Sequence, residues 1–475
     1  MADKLKMESQ SIDFIPLSKR HGKASDLFFV WFGANAELPV VAVGTISIVQ
    51  GFSLWWACVA VFIGCLIGAI FMAYHSAQGP KLGLPQMIQS RAQFGFYGAS
   101  WPLVVVVVMY IGYFATGGVL GGEAVASLLG IPTFLGIIIM SAACLLLALY
   151  GYDLIHRVER YMTYFFLAFF VVFTVVMVHT FTTPTRLAVH VAALTSGTFQ
   201  LGPFLLALMF SATTQLAYAP YVADYSRYLP NNTSVKKTFW YTYVGINLSG
   251  IWLMILGAVM QQHIPTGNPV QQMTIIALHV GIWFKVVTLL AIALGILSIN
   301  TLDIYGAYMS SLTIVNSLAK TYKPKRLSRA AFITAVAVIC TVAAFLYQAN
   351  LLASYENFLV IILAFLVPWT AINLTDFYLV RKGNYSPEQI FNPKGIYKTV
   401  NWTGIVSYCV GFLVQLPFMN NTFVDGFIAK GLDNGDISWM VGAIVGGAVY
   451  WALNRSRNLN NDTSISGEGQ VEVLE

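Results

Sequence analysis

The chain has 475 residues, of which 57% are hydrophobic and only 10% charged. Soluble proteins carry about 25% charged residues, so too few charges remain here to coat a water-facing surface. A soluble enzyme or binding domain is excluded, and lipid is the solvent that fits. The net charge of +6 is modest, and no nucleic-acid partner is expected. Five cysteines, at 58, 65, 144, 340 and 409, all sit in apolar runs, where disulfides and metal clusters are not expected. Residues 1–25 are polar, which leaves no apolar core for a cleavable signal peptide and predicts a cytoplasmic tail.

A bilayer core of roughly 30 Å needs about 20 apolar residues per helix. Taken in chain order, the apolar runs predict spans at 26–50, 53–76, 101–128, 133–152, 159–182, 201–223, 238–260, 279–318, 330–348, 355–380, 402–419 and 437–453. The run 279–318 is too long for one straight crossing, and its ends are expected at the interface. The fold class is an all-α polytopic membrane protein of about twelve helices. With the N-terminus in the cytoplasm, alternation of the loops puts 23 of the 26 Lys and Arg residues inside. Only Arg186, Lys430 and Lys285 fall elsewhere. This asymmetry is the positive-inside pattern, and it predicts an inner or plasma membrane protein with both termini cytoplasmic.

Four spans carry unusual chemistry. The first is interrupted by Gly33-Ala34-Asn35-Ala36-Glu37-Leu38-Pro39. Unwound backbone there would expose carbonyls able to coordinate a cation or a ring N–H, and a carboxylate at membrane depth costs several kcal/mol, which makes Glu37 a functional candidate. The third span reads IGYFATGGVLGGEA (111–124). Its glycines allow close helix approach or leave room for a flat ligand, with Tyr113 as an aromatic platform and Glu123 about three turns on. The sixth span is expected to break at Ser211-Ala212-Thr213-Thr214-Gln215, ahead of Pro220. Phe210, Ser211, Thr214, Gln215 and Tyr218 would offer ring contacts, donors and acceptors around that break, although Ser and Thr also bond back to their own helix. The eighth span carries Ser298, Asn300 and Asp303. Because the sixth span opens a second set of five, the paired interruptions point to an inverted-repeat transporter with a midplane site. Trp55, Trp56, Trp101 and Trp439 read as interface anchors, and Asp224 with Arg227 as a structural or gating ion pair.

Four segments together resemble the nucleobase–cation symporter family in its purine–cytosine permease branch. They are GPKLGLPQMIQSRAQFGFYG (79–98), GYDLIHRVERY (151–161), YAPYVADYSRYLP (218–230) and NTLDIYGAYMSSL (300–312). The resemblance runs from about residue 20 to 420. It implies a leucine-transporter-type fold with a ten-helix 5+5 inverted repeat at 26–380, two appended helices at 381–453 and a tail at 454–475. It also implies uptake of a nucleobase or related nitrogen heterocycle, driven by H⁺ or Na⁺. The implied substrate set is Asn35, Glu37, Tyr113, Glu123, Phe210, Ser211, Thr214, Gln215, Tyr218, Asn300 and Asp303. Tyr113 and Tyr218 stand where relatives have Trp. A possible Na⁺ site would join Ser298 to carbonyls around Gly33 and Ala36; no other cofactor is expected.

Three departures from the family share a direction. Where relatives tend to have Asn, Gln and Asn, this chain has Glu37, Glu123 and Asp303. Three acids facing one cavity are costly unless a proton, a cation or a donor-rich ligand neutralises them. Either one acid cycles a proton, or the substrate is cationic or rich in N–H donors, as a vitamin is. Other function classes find less support. A channel would show pore-lining rings, an ATP-driven pump a GxxxxGK[ST] loop, and a transceptor a long soluble domain. The seven histidines are scattered without ligand spacing, which leaves no basis for a membrane-embedded metalloenzyme.

Overall fold

The computed structural model describes residues 13–456 except 50, 151, 183–196, 266 and 319–325, and, among the described positions, leaves out the side chains of 150, 152–162 and 326. Residues 1–12 of the expected N-terminal tail and 457–475 of the C-terminal one therefore lie outside the described residues, as do Arg186, Lys320, Lys323, Lys325 and the side chains of His156, Arg157, Glu159 and Arg160. Among the described residues the chain is helical, with one isolated antiparallel bridge between Asn420 and Asp425. In chain order the main helices are α1 (Asp26–Ala34), α2 (Leu38–Val49), α3 (Leu54–Leu82), α4 (Ser100–Leu129), α5 (Thr133–Tyr150) and α6 (Tyr152–Thr182). There follow α7 (Leu201–Leu216), α8 (Val222–Ser226), α9 (Val235–His263), α10 (Pro269–Leu278), α11 (Ile282–Leu318), α12 (Arg326–Gln348), α13 (Leu351–Leu374), α14 (Trp402–Leu413) and α15 (Ser438–Asn454).

Every predicted span falls on helix. Among the described residues eight helices are long and apolar enough to cross a bilayer, or nine with the bent pair α1–α2; α5 and α14 with its short 3₁₀ extension are apolar but shorter. The run 279–318 resolves into the single 37-residue helix α11, preceded by the separate short helix α10. Trp55 and Trp101 are exposed as anchors should be, but Trp439 is 1% exposed. Here the expectation fails because Trp439 belongs to the buried core, on a helix that packs against α13 and α14.

The first predicted interruption forms where expected, narrowed to Asn35–Glu37, with α1 and α2 at 57°. Pro39 has no N–H, and its ring would strike the carbonyl of Asn35 in a continuous helix, whereas in the first turn of a new helix it is tolerated. The second interruption is displaced from its predicted place. Residues 211–215 are regular helix. The hydroxyls of Ser211, Thr213 and Thr214 each donate to the carbonyl four residues back, so their polarity is absorbed by α7 itself. The chain leaves α-helix only after Leu216, through a 3₁₀ turn at Ala219–Tyr221. Pro220 stops it there, for its ring would meet the Leu216 carbonyl.

Two helix groups result. In one, α1, α2, α3, α7 and α9 pack together; in the other, α4 packs on α5, α11 and α12. Small residues set both spacings, as expected where dispersion and not water drives association. A side chain at Gly44 would meet the backbone of Met254, one at Gly257 the carbonyl of Val41, and one at Gly117 the amide of Asn300. α13 touches both groups.

α13 continues as a π-helical turn, Thr375–Val380, built round a buried ion pair. Asp376 and Arg381 are both fully buried, 3.1 Å apart. Gln93, Tyr385 and Tyr450 also donate to the Asp376 carboxylate, at 2.7, 2.6 and 2.9 Å. One carboxylate thus ties the segment before α4, the end of α13 and α15. Asp376→Ala leaves a buried guanidinium without its counter-charge and is expected to destabilise the protein by about 3–5 kcal/mol. Thermal unfolding in detergent measures this, and an unchanged midpoint would refute the role.

Candidate functional site

The two interruptions touch. Where α1 stops, the Ala34 carbonyl loses its intrahelical partner. The Tyr218 hydroxyl, from the other interruption, donates to it at 3.0 Å. The same hydroxyl lies 3.3 Å from Asn35 Oδ1 and 3.3 Å from Glu37 Oε1. It has one proton, so the three acceptors compete for it. Behind this contact, the buried Asn35 amide donates to the Ile246 carbonyl at 3.1 Å and to Gln215 Oε1 at 3.4 Å. Gly250 of α9 gives that pair its room, since a Cβ there would collide with both amides.

Between the helix groups lies a central cavity, walled by Glu37, Pro39 and Val40 of the first break, Met109 and Tyr113 of α4, and Thr214, Ala217, Tyr218 and Tyr221 around the second. Ile299, Asn300 and Asp303 of α11 and Tyr355 of α13 complete it. Five of its polar atoms are buried without a hydrogen-bond partner in the protein: Glu37 Oε2, Tyr113 OH, Asn300 Oδ1, Asp303 Oδ2 and Tyr355 OH. The Asn300 amide nitrogen is held by the Phe114 carbonyl at 3.0 Å, and its oxygen lies beside Gly117 of α4. The cavity's volume is about 20 Å³, room for about one water, and a water serves about four groups at most. Five unpaired groups exceed what one water can serve, which makes the cavity a candidate binding site. Among the described residues no Lys, Arg or His lines it, so two carboxylates, one from each helix group, line it without a described cation beside them. Burying a charge in that state costs several kcal/mol.

Two larger cavities adjoin it. One of about 550 Å³ runs along α1 from Glu37 past Ala36, Gly33 and Val30 to Asp26, with Ser298 and Gly295 on its far wall. The other, about 100 Å³, runs from Asp303 to Asp224 and Arg227.

Of the residues predicted from sequence, Glu37, Tyr113, Thr214, Tyr218, Asn300 and Asp303 line the central cavity, with Asn35 and Gln215 packed behind its wall. Gly33, Ala36 and Ser298 share the wide cavity. Three residues are elsewhere. Phe210 is buried in the apolar core, and Ser211 faces α3 at Gly64, because α7 is still helical there and turns them from the site. Glu123 corrects the expectation of three acids in one cavity. Ten residues beyond Tyr113, it lies about 15 Å along α4 and accepts from the side chain of Asn268, which caps α10. Asp224 Oδ1 accepts from the Gln86 amide at 2.7 Å, and Arg227 donates to the carbonyls of Asp224 and Asp13. Sequence reasoning missed Tyr355 and Tyr221. Tyr355 opened a predicted span; the helix in fact begins four residues earlier, and the ring lines the cavity.

The hydroxyls of Tyr218 and Tyr355 make opposite predictions. Tyr218→Phe orphans the Ala34 carbonyl and is expected to cost about 1–3 kcal/mol of stability. Tyr355→Phe removes an unpaired hydroxyl, so stability stays within about 0.5 kcal/mol while ligand affinity falls roughly tenfold, one lost hydrogen bond. Thermal melts paired with ligand titration check both, and equal effects of the two variants would contradict this geometry.

Comparison with known proteins bears on what such a site binds. The model of a family of permeases for cytosine/purines, uracil, thiamine and allantoin matches residues 14–442. The putative purine-cytosine permease YxlA of Bacillus subtilis (strain 168) is 41% identical over 453 residues, 95% of this chain and 97% of that one. The purine-cytosine permease fcyB of Emericella nidulans is 23% identical over 95% of this chain and 89% of its own length. Among solved structures, the inward-facing conformation of Mhp1 superposes with a TM-score of 0.75 at 19% identity, over 95% of this chain and 94% of that one. The closed form of Mhp1, a nucleobase-cation-symport-1 family transporter with bromovinylhydantoin bound, gives 0.74 at 18% over 98% of both.

Proposed function

The chain belongs to the family of permeases for cytosine/purines, uracil, thiamine and allantoin, and from that premise we propose that it imports an amino-bearing nucleobase, cytosine or adenine, by symport with H⁺ or Na⁺. The family and the apolar helices make it a multi-pass membrane protein and a permease, not an enzyme. The observation that carries the finer reading is the excess of acceptors in the central cavity. Glu37 Oε2, Asn300 Oδ1 and Asp303 Oδ2 all await donors. An exocyclic amine beside a ring N–H supplies adjacent donors, and an amide or carboxylate accepts from such an edge with high discrimination. Uracil offers carbonyls where cytosine offers its amine, and a carbonyl against a carboxylate is repelled. The rings of Tyr113, Tyr218, Tyr221 and Tyr355 line the same cavity and provide stacking surface, each base–ring stack contributing about 1–3 kcal/mol.

The central cavity is narrower than a base, so binding spreads its walls, and the two helix groups that supply those walls are the parts that move in alternating access. The wide cavity beside Glu37 reaches the end of the bundle where residue 21 bonds to residue 228 and Arg20 to Pro80. Lys19, Arg20, Lys23, Arg227 and Lys236 belong to that end, and the positive-inside rule assigns it to the cytoplasm. This conformation is then the inward-facing one, in the cell membrane. Neutralising the two acids falls to the coupled ion, either a proton or a Na⁺ held by Ser298 with the backbone of Gly33 and Ala36. The pair of carboxylates also supports a second reading, a cationic aminopyrimidine such as thiamine.

A thermal-shift screen of the detergent-purified protein tests this, with cytosine, adenine, uracil and thiamine each added with and without Na⁺. A ligand at 100 times its Kd adds about 2.7 kcal/mol to apparent stability. Cytosine or adenine is expected to give the largest shift. A larger shift with thiamine would select the second reading, and a larger shift with uracil would overturn the acceptor argument.

A further inference from the structure

Asp303 belongs to two cavities at once. It lines the central one with Glu37, and it heads the narrow one of about 100 Å³ that follows α11 past Gly306, Ser310 and Thr313 to Asp224. From Asp303 to Thr313 the helix rises about 15 Å. The wide cavity is separate. It reaches Glu37 and not Asp303, and Tyr225, Ile299 and Leu302 stand between the two, lining both. The two passages differ in calibre, 550 against 100 Å³. The narrow one has room for a file of about half a dozen waters, and Tyr110, Tyr221, Ser310, Thr313 and Asp224 line it with hydroxyl and carboxylate partners for them. Asp303 is 6% exposed, and its Oδ2 has no partner in the protein.

Resting on the symport reading above, we propose that the narrow cavity is a proton path distinct from the substrate's, with Asp303 as the group that carries the coupled proton. The charges round Asp303 suit this. Glu37 faces it from the α1–α2 break, and Arg227, the one Lys or Arg among the described residues lining the narrow cavity, lies toward its far end with Asp224. The other titratable neighbours are neutral at pH 7. They are Tyr110 and Tyr113 from α4, Tyr218, Tyr221 and Tyr225 from the second break and α8, Tyr305 of α11 itself, and Tyr355 from α13, with Cys144 of α5 and Cys340 of α12 beyond. Without a cation beside it, Asp303 lets its proton leave only when water can take it, and the narrow cavity brings that water. The proton passes from the Asp303 carboxyl to water in the narrow cavity and leaves the carboxylate behind. The base leaves by the wide cavity, past Glu37. Reprotonation of Asp303 occurs when the central cavity opens to the opposite side.

The test uses the full chain in proteoliposomes, with a pH dye trapped inside, membrane potential clamped at zero, and labelled cytosine as probe. Wild type is expected to acidify the lumen when cytosine is added and to accumulate it about tenfold per unit of pH gradient, the ratio a one-to-one proton symport sustains at equilibrium. Asp303→Asn is expected to abolish cytosine-evoked acidification at every pH, and Asp303→Glu to restore it. Ser310→Leu fills the narrow cavity without touching the central one. It is expected to leave cytosine counterflow within about twofold while slowing evoked acidification at least tenfold. Acidification that survives in Asp303→Asn, or Ser310→Leu slowing both readouts equally, overturns the proposal. So does a wild type that exchanges cytosine but accumulates it only with a Na⁺ gradient, and that outcome leaves the transporter reading standing. Absence of any cytosine exchange by wild type overturns that reading as well.

Discussion

A helix can be broken inside a bilayer only if the peptide groups it frees find partners, because hydrocarbon offers none. In this protein the partner comes from a second broken helix. Tyr218, at the exit of α7, donates to the carbonyl that α1 abandons at Ala34, and Asn35 is pinned to Gln215 and Ile246 behind it. Each interruption is therefore satisfied by the other.

That contact lies within one of the two helix groups, while the other acid, Asp303, comes from the opposite group. The central cavity is thus a seam with one carboxylate on each lip. If both were ionised, mutual repulsion would favour separation of the lips, and a ligand or proton that neutralised either acid would favour their approach. α13 spans the seam, and its foot is fastened by the Asp376 cluster, so Tyr355 is presented to the cavity from a fixed support.

Much of the site could be read from residue types. Glu37, Asp303 and Asn300 stand out because charge and amide groups are rare at membrane depth, and Pro39 marked the first break by its missing N–H. The errors have a common cause. Ser211 and Thr213 looked like an interruption but satisfy themselves within α7, and a hydroxyl in a sequence does not declare whether it bonds outward or back to its own helix. Glu123 was as conspicuous as Glu37, yet three turns of α4 carry it away to Asn268. Tyr355 was inconspicuous, because an aromatic at the edge of an apolar run looks like an interface anchor until the true start of α13 is known.

Composition and hydropathy were enough to establish a polytopic helical membrane protein, since each rests on the transfer of side chains between water and lipid, a property local to a segment. Four motifs were enough for the family. What only the tertiary structure decided is which polar groups share a cavity, which passages reach it and which groups are left without partners. These depend on the rotation and depth of helices distant in sequence, set by glycine contacts such as Gly117 against Asn300 and Gly250 against Asn35. No single segment carries that information.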